Sequence, residues 1–322
     1  MDHKAVHDTV ADDFAAVNQT ILSQLESRVP LVEKIADYII SSGGKRMRPL
    51  LALLSARLCG QLDSRHHKLA TVIEFLHTAT LLHDDVVDTS DLRRGRATAN
   101  AKWGNAPSVL VGDFLYARAF ELLVDIGQMP VMNRLAVATR TIAEGEVMQL
   151  MNVRNPDATE AQYMEVIKGK TAILFQASSE TAALLSGATA DQCEQLGRYG
   201  LNLGLAFQLI DDVLDYEGDA AKMGKNVGDD LAEGKPTLPL IHAMANGDKA
   251  DRELIRQAIR KGGLDDLEPV IEVVHRCGSI EYVRNKAESL VVEARAQLTG
   301  FPDSPAKTAM QALANMAVAR DS

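Results

Sequence analysis

Apolar positions follow a helical period along nearly the whole chain. They recur three and four residues apart, which is the spacing of one face of an α-helix. Short stretches rich in Gly, Pro, Ser, Asn or Asp interrupt the pattern at 41–49, 90–107, 127–130, 152–159, 186–190, 217–239 and 262–263. These gaps have the length of loops and lack the low complexity of a linker, so we expect a single bundle-like domain over 1–322 with about ten helices.

Two acidic clusters interrupt the apolar helical segments. Both read DDxxD, one in LLHDDVVD with Asp84, Asp85 and Asp88, the other in FQLIDDVLD with Asp211, Asp212 and Asp215. Residues four apart lie one helical turn apart, so Asp84 lies over Asp88 and Asp211 over Asp215. Their apolar neighbours predict a buried face, where unpaired charge is costly. Divalent cations would offset that charge, and oxygen-only ligands favour Mg²⁺ held by carboxylates and substrate phosphates.

Other polar side chains share a helix face with these clusters. His77 precedes Asp84 by seven residues and Asp88 by eleven, so all three point within about 20° of one direction. Gln208 precedes Asp212 by four residues and extends the second cluster in the same way. Two such polar stripes predict a cavity inside a helical bundle.

Basic residues gather in loops near the clusters. Closely spaced cations beside flexible glycines can wrap a diphosphate. The segments are GGKRMRP with Lys45, Arg46 and Arg48, DLRRGRAT with Arg93 and Arg94, GKNVGDDLAEGKPTLPL with Lys225 and Lys235, and IKGKTAILF with Lys170 and Thr171.

Composition narrows the possible functions. The 322 residues contain 4% aromatic residues and ten prolines, which favours helix over sheet. A net charge of −10 without a long basic run argues against nucleic-acid binding. Cys59, Cys193 and Cys277 lie far apart, which predicts neither disulfides nor a zinc site and fits the reducing cytoplasm. The acidic N-terminus lacks a secretory pattern, and the strongest apolar run is well short of the ~20 residues that span a bilayer.

Five motifs in order carry a family resemblance. GGKRMRP, LLHDDVVDTSDLRRGRAT, GKT at 169–171, FQLIDDVLD and GKPTLPL lie between about residues 43 and 241. With them the chain resembles the trans-isoprenyl diphosphate synthases, and the long-chain members most of all. The resemblance implies an all-α, isoprenoid-synthase-type helical bundle around a central cavity, and a homodimer. It also implies a Mg²⁺-dependent prenyltransferase that adds isopentenyl diphosphate to farnesyl or geranylgeranyl diphosphate, giving products such as octaprenyl diphosphate for quinone side chains.

The resemblance assigns roles residue by residue. Catalytic roles fall to the six aspartates of the two clusters and to Lys170. Two or three Mg²⁺ ions would be held by Asp84, Asp88, Asp211 and Asp215. The allylic diphosphate would be bound by Arg93, Lys170, Thr171, Gln208, Lys225 and Lys235. Isopentenyl diphosphate would be bound by Lys45, Arg48, His77 and Arg94.

Product length depends on the residues that precede the first cluster. Family members that stop early carry bulky aromatic residues at the two positions occupied here by the small Ala79 and Thr80, so we expect an open tunnel and a long product. Larger side chains such as Leu122, Leu123 or Met132 would then form its floor. Contact with a membrane surface during product release is a further expectation.

Four alternative functions remain open. A shorter-chain, geranylgeranyl-type synthase would share every motif. A terpene cyclase would usually lack the second diphosphate site of GGKRMRP and Arg94. A regulatory subunit of a heteromeric synthase tends to lose aspartates, and none is missing here. A simple Mg²⁺ or Ca²⁺ binding module would not need the basic loops.

Overall fold

The computed structural model describes residues 1–60, 62–93, 95–217 and 227–319. Helices account for 78% of the structure and strands for 1%, which confirms the all-α prediction. The first helices are α1 (His3–Asp8), α2 (Ala11–Gln24), α3 (Pro30–Ser41), α4 (Met47–Leu58), α5 (Ser64–Val87), α6 (Ala99–Trp103), α7 (Asn105–Ile126), α8 (Met129–Asn152) and α9 (Glu160–Ile167). A π-helical turn (Lys168–Ala172) precedes α10 (Ile173–Leu185), α11 (Ala190–Glu217), α12 (Asp229–Ala232), α13 (Leu238–Asn246), α14 (Lys249–Lys261), α15 (Leu267–Arg276), α16 (Ser279–Ala296) and α17 (Pro305–Val318).

The helices are more numerous than the roughly ten that periodicity predicts. The additional ones include α1, α6 and α12, each of four to six residues. Such short helices complete fewer than two turns, so no apolar stripe can develop along them. Segment 90–107, predicted as a loop, contains α6 and a two-stranded antiparallel hairpin, in which β1 (Leu92–Arg93) pairs with β2 (Arg96–Ala97).

Local chemistry explains where the long helices begin and end. Asp63 caps α5 by accepting a hydrogen bond from the Arg65 N–H at 2.9 Å, and His66 completes a capping box. Thr159 and Gln162 form the same device at the start of α9. Gly127 ends α7 with φ +69°, a left-handed conformation that glycine adopts without a steric penalty.

The helices form two compact units. The first contains Met1–Thr139, Leu174–Gly200 and Gln297–Leu313. Its centre is α5, which packs against α2, α4 and α7. The side chains of Ile73 and Phe75 on α5, like that of Leu115 on α7, are fully removed from solvent. This packing holds the first acidic cluster, at the end of α5, on a rigid helix.

The second unit contains the described residues of Arg140–Ile173, Leu201–Ala296 and Ala314–Ser322. Its helix α13 packs against α9, α14, α15 and α16. The single bundle-like domain expected over 1–322 stays a prediction. Within the described ranges, no helix combines the length and apolar character needed to cross a membrane. Cys59, Cys193 and Cys277 are free thiols.

Candidate active site

The first acidic cluster occupies the last turn of α5. The Asp88 N–H donates to the Asp84 carbonyl at 2.8 Å, so these residues lie one turn apart as predicted. Both side chains are half-buried, whereas Asp85 between them is fully buried. Asp84 and Asp88 therefore remain partly accessible to solvent.

Arg93 at the start of the hairpin pairs with Asp85. Its Nη2 lies 2.7 Å from Asp85 Oδ1, and its Nε donates to the same oxygen at 2.8 Å. The other oxygen, Oδ2, is buried and accepts no hydrogen bond from any described residue. Arg93, which is predicted to bind the allylic diphosphate, is thus held beside the first cluster. Arg94 lies outside the described residues.

The carboxylates of the first cluster fit a cation that takes its remaining ligands from substrate and water. No group of three or more His, Cys, Asp or Glu side chains able to hold a metal occurs among the described residues. Mg²⁺ commonly takes only one or two carboxylates from the protein and the remaining ligands from water and phosphate. The stacked, half-buried Asp84 and Asp88 match that donor set, and the bare Oδ2 of Asp85 adds negative charge beside them.

Two residues predicted to bind isopentenyl diphosphate contact each other. Arg48 Nη1 lies 3.2 Å from His77 Nε2, so the arginine donates to the histidine ring. The Arg48 guanidinium also lies over the buried Phe175 ring, 4.3 Å from its centroid, which is a cation–π contact. Lys45, the third predicted ligand, is exposed in the preceding loop.

Arg46 differs from its expected role as one of the loop cations that wrap a diphosphate. Its Nε lies 3.7 Å from Glu74 Oε1 on α5, and its guanidinium also donates to the Asn18 side chain. Both partners in the Arg46–Glu74 pair are largely buried, with side-chain exposures of 20% and 10%. Arg46 itself has φ +42°, a left-handed conformation that is strained for a non-glycine residue. The Arg46 guanidinium thus holds the GGKRMRP segment, which carries Lys45 and Arg48, against α5.

The predicted chain-length residues lie one turn before the first cluster. Ala79 is fully buried, whereas Thr80 is half-buried and donates its hydroxyl to the His77 carbonyl at 2.7 Å. Of the proposed floor residues, Leu122 and Leu123 are buried on α7, which packs against α5. Met132 is half-buried on α8.

A cavity in the second unit collects the predicted allylic-diphosphate residues. Its volume is about 120 Å³. Four of those predicted residues line it together with an aspartate of the second cluster, namely Lys170, Thr171, Gln208, Lys235 and Asp212. Lys225 lies outside the described residues. The second unit alone thus brings together amines, a hydroxyl, an amide and a carboxylate in one concave site.

A continuous chain of hydrogen bonds runs along this cavity. Thr171 Oγ1 donates to Gln208 Oε1 at 2.9 Å, and Gln208 Nε2 donates to Asp212 Oδ1 at 2.8 Å. The other Asp212 oxygen accepts from the Tyr163 hydroxyl at 2.5 Å. The GKT segment is therefore connected to the second aspartate cluster through Gln208.

Burial dominates the electrostatics of this chain. It raises the pKa of Asp212 to about 8, and the Asp230 carboxylate acts in the same direction, while the hydrogen bonds from Tyr163 and Gln208 oppose the shift. Burial also raises the pKa of Tyr163 well above its usual value, so its hydroxyl keeps its proton at neutral pH. Such an acidic, desolvated site favours the arrival of a cation.

The other aspartates of the second cluster differ in exposure. Asp211 is half-buried, whereas Asp215 is fully buried and accepts a hydrogen bond from the Asp230 N–H at 3.1 Å. Asp230 itself lines the cavity. The start of α12 is therefore tied to Asp215, and its Asp230 adds a further carboxylate to the site.

The π-helical turn positions Lys170 and Thr171. Lys170 Nζ lies 2.8 Å from Glu146 Oε2 on α8. A Cβ placed on Gly145 would lie only 2.5 Å from the Lys170 nitrogen, so α8 and the turn are in close backbone contact. π-Helical turns are rare and frequently lie at functional sites.

Sequence reasoning missed several of these residues. Tyr163, Glu146, Asp230 and Phe175 each contact a predicted site residue or line the cavity with one, yet none was assigned a role from the sequence. Asp230 could have been noticed, because it lies within GDDLAEGK beside the predicted Lys235. Phe175 ends the segment IKGKTAILF as one more apolar residue of a helix, and Tyr163 and Glu146 lie outside every motif.

Comparison with known proteins gives consistent matches over the whole chain. A family model described as Polyprenyl synthetase matches residues 29–274. The octaprenyl diphosphate synthase of Escherichia coli (strain K12) is 52% identical over 322 residues and 100% of both chains. An all-trans-nonaprenyl-diphosphate synthase (geranyl-diphosphate specific) from Rhodobacter capsulatus is 49% identical over 97% of this chain and 96% of its own. The crystal structure of a polyprenyl synthase from Caulobacter crescentus CB15, complexed with calcium and isoprenyl diphosphate, matches with a TM-score of 0.97 and 44% identity over 100% of this chain and 98% of its own.

Proposed function

Because this chain belongs to the polyprenyl synthetase family, we propose that it extends farnesyl or geranylgeranyl diphosphate with isopentenyl diphosphate as far as octaprenyl diphosphate. It is a trans-polyprenyl diphosphate synthase with a long-chain product, hence a prenyltransferase. The observation that best supports the allylic site is the cavity shared by Lys170, Thr171, Gln208 and Asp212. The specific product is supported by the full-length similarity to an octaprenyl diphosphate synthase.

The first aspartate cluster and its neighbours would bind both substrates. We assign Asp84 and Asp88 to Mg²⁺ and Arg93 to the allylic diphosphate. Arg48 and His77, which lie in contact, would bind isopentenyl diphosphate together with Lys45. Arg94 would act with them.

The second cluster and its cavity would bind the allylic diphosphate. Asp211 and Asp215 are assigned to Mg²⁺, so that two or three ions act in all. When bound, Mg²⁺ supplies positive charge that stabilises the departing diphosphate. Lys170 and Lys235 supply fixed positive charge in the same cavity, and Lys225 is assigned the same role.

The reaction then needs no protein nucleophile. The allylic C–O bond breaks, and its electron pair leaves with the diphosphate. The alkene of isopentenyl diphosphate attacks the resulting carbocation, forming the new C–C bond. Loss of a proton restores the double bond, with the departed diphosphate as the acceptor, and the product is one isoprene unit longer. The chain contributes fixed charges where negative charge develops on the phosphate oxygens.

A homodimer is also proposed. Helix α7 exposes apolar side chains that a monomer leaves in water, since Leu110 and Val124 are each 65% exposed and Val109 is 36% exposed. Exposed apolar side chains along one helix are often buried in a subunit interface. We expect a dimer by light scattering, and we expect Leu110→Asp to shift it to monomer. A monomeric wild-type protein would contradict this proposal.

The predicted cytoplasmic location and membrane contact during product release stay predictions.

The activity is tested with purified protein, Mg²⁺, farnesyl diphosphate and labelled isopentenyl diphosphate, followed by separation of the dephosphorylated products by chain length. A dominant octaprenyl product is the expected result, and chelation of the metal should abolish it. A dominant geranylgeranyl product would retain the chemistry but overturn the product assignment. Absence of elongation would overturn the proposed function.

A further inference from the structure

We infer that Tyr163 is a positioning residue of the allylic-diphosphate site, because its hydroxyl fixes the orientation of Asp212 and, through Asp212, the orientation of the Gln208 amide. This inference rests on the proposed function, since it concerns the residues assigned to the allylic diphosphate. It adds a residue from α9, outside every motif, to the group that determines how diphosphate is bound.

The first step is the anchoring of Tyr163 itself. The side chain is only 6% exposed. Helix α9, which carries it, begins at the capping box of Thr159 and Gln162, only three residues before. Its phenol therefore enters the second unit from a defined helix start, and its rotamer is restricted by the buried surroundings.

The second step is the constraint on Asp212. Its Oδ2 accepts from Tyr163 at 2.5 Å and its Oδ1 from Gln208 at 2.8 Å, so each carboxylate oxygen has its own donor. Two donors on opposite oxygens fix the plane of a carboxylate that would otherwise rotate about its Cβ–Cγ bond. The contact with Tyr163 joins positions 49 residues apart in the chain.

The third step is the orientation of Gln208. The Gln208 NH₂ group faces Asp212 and donates to its Oδ1 at 2.8 Å. Its carbonyl oxygen then faces Thr171, which donates to it at 2.9 Å. Asp212, held by Tyr163, is thus connected to Thr171 through the Gln208 amide.

The fourth step concerns the ligand. Diphosphate oxygens accept hydrogen bonds, and so the site must offer donors to them. One N–H of the Gln208 amide donates to Asp212, and the second can donate to a diphosphate oxygen. Without the Tyr163 hydroxyl, Asp212 can rotate and the Gln208 amide can flip, which presents a carbonyl oxygen to the anionic ligand instead of an N–H group.

Two substitutions separate positioning from ordinary stability. Tyr163→Phe removes only the hydroxyl. Tyr199→Phe is the matched control, because Tyr199 is also fully buried but donates to the Met310 backbone carbonyl in the first unit. Both variants lose one buried hydrogen bond and are expected to unfold at lower temperature by similar amounts.

Binding of inorganic diphosphate with Mg²⁺, measured by calorimetry, is the decisive readout. We expect Tyr163→Phe to weaken it about 10-fold, the size of effect expected when one buried hydrogen bond is lost. Tyr199→Phe should bind like the wild type. In the elongation assay, Tyr163→Phe should raise KM for farnesyl diphosphate and leave KM for isopentenyl diphosphate unchanged. Equal affinity in both variants would overturn the inference.

A double-mutant cycle tests the route through Gln208. If Tyr163 acts by way of Asp212 and Gln208, its substitution should have little further effect on diphosphate affinity in a Gln208→Leu background. Fully additive effects would contradict the inference. Should Tyr163→Phe fail to fold, Asp212→Leu provides the second test, because it removes both oxygens that accept from Tyr163 and Gln208. Normal Mg²⁺–diphosphate affinity in that variant would likewise overturn the inference.

The proposed function is judged separately from these variants. If the wild-type protein does not elongate farnesyl diphosphate, the proposed function fails whatever Tyr163 does. If the wild type elongates and Tyr163→Phe matches Tyr199→Phe in diphosphate affinity, only the role of Tyr163 fails.

Discussion

Arg93 and Asp85 form an ion pair in which the carboxylate is fully buried and the arginine is 30% exposed. A cation predicted to bind diphosphate therefore also neutralises the middle aspartate of the first cluster. Its Nε and Nη2 both approach the same carboxylate oxygen, at 2.8 Å and 2.7 Å. The pair holds the hairpin against the end of α5, and a substitution should affect both stability and binding.

Arg93→Ala is expected to lower the free energy of unfolding by about 1–3 kcal/mol, because it leaves the Asp85 charge buried without its partner. It should also raise KM for the allylic substrate. Urea denaturation and steady-state kinetics measure the two effects. Arg96→Ala serves as the control, since Arg96 lies opposite Arg93 in the same hairpin and is exposed. Equal responses of the two variants would contradict the role of the Asp85 pair.

For Arg94→Ala we expect a higher KM for isopentenyl diphosphate, in contrast to the allylic-substrate effect of Arg93→Ala.

Asp84→Ala is expected to lower kcat by at least ~10²-fold, the scale observed when one preorganised charge-stabilising group is lost. The reason is the loss of one of two stacked carboxylates assigned to Mg²⁺. Asp125→Ala is the control, because that side chain is 60% exposed on α7 and makes only a surface pair with Lys68. Near-normal turnover of Asp84→Ala in a Mg²⁺-dependent assay would exclude the metal assignment.

Bulky residues at the two chain-length positions should shorten the product to geranylgeranyl length. Ala79 is fully buried and Thr80 is half-buried, so a bulky residue should lower the stability of the fold more at position 79 than at position 80. Ala79→Tyr overpacks the core and should lower stability by about 1–3 kcal/mol, whereas Thr80→Tyr should cost less. Chromatography of the products and thermal unfolding measure both effects. An unchanged product distribution in Thr80→Tyr would refute the tunnel.

Gly145→Ala should raise KM for the allylic substrate. The added Cβ would lie 2.5 Å from the Lys170 nitrogen and 2.8 Å from the Gly169 carbonyl carbon, so the π-helical turn must shift and carry Lys170 and Thr171 with it. At Gly197 the added Cβ meets Glu180 at an ordinary 3.4 Å, which makes Gly197→Ala the matched control. Similar kinetics for both variants would show that the close contact does not position the turn.

Stability at acidic pH should depend in part on Asp63. The Arg65 side chain, and to a lesser degree the Arg65 N–H and His66, hold the pKa of this N-cap carboxyl below its usual 3.8, although burial opposes them. Because the folded state lowers this pKa, the carboxylate contributes stability above about pH 4 that is lost as the pH falls through and below that value. Asp63→Asn keeps a capping side chain and should flatten this part of the pH profile. Urea denaturation between pH 2 and pH 7 checks it, and parallel profiles for both proteins would rule out the contribution.

Much of the site could be anticipated because its groups recur at helical spacing or in ordered motifs. The contact between Arg48 and His77 joins two residues that the resemblance had already assigned to one ligand. Arg46 shows the limit of such reasoning. Within GGKRMRP it is indistinguishable from its basic neighbours, yet its side chain is held by Glu74 on α5. Which cation of a loop points at substrate depends on the helix packed beneath it.

The sequence by itself determined the helices, the stacking of Asp84 over Asp88, and the family. These follow from hydrogen bonds and side-chain spacing within a few residues of each other. Only the tertiary structure decided that Arg93 neutralises Asp85, that Phe175 underlies Arg48, that Glu146 pairs with Lys170, and that Tyr163 anchors Asp212. Most of these contacts join positions far apart in the chain, and their partners meet only after the apolar faces of different helices have packed together.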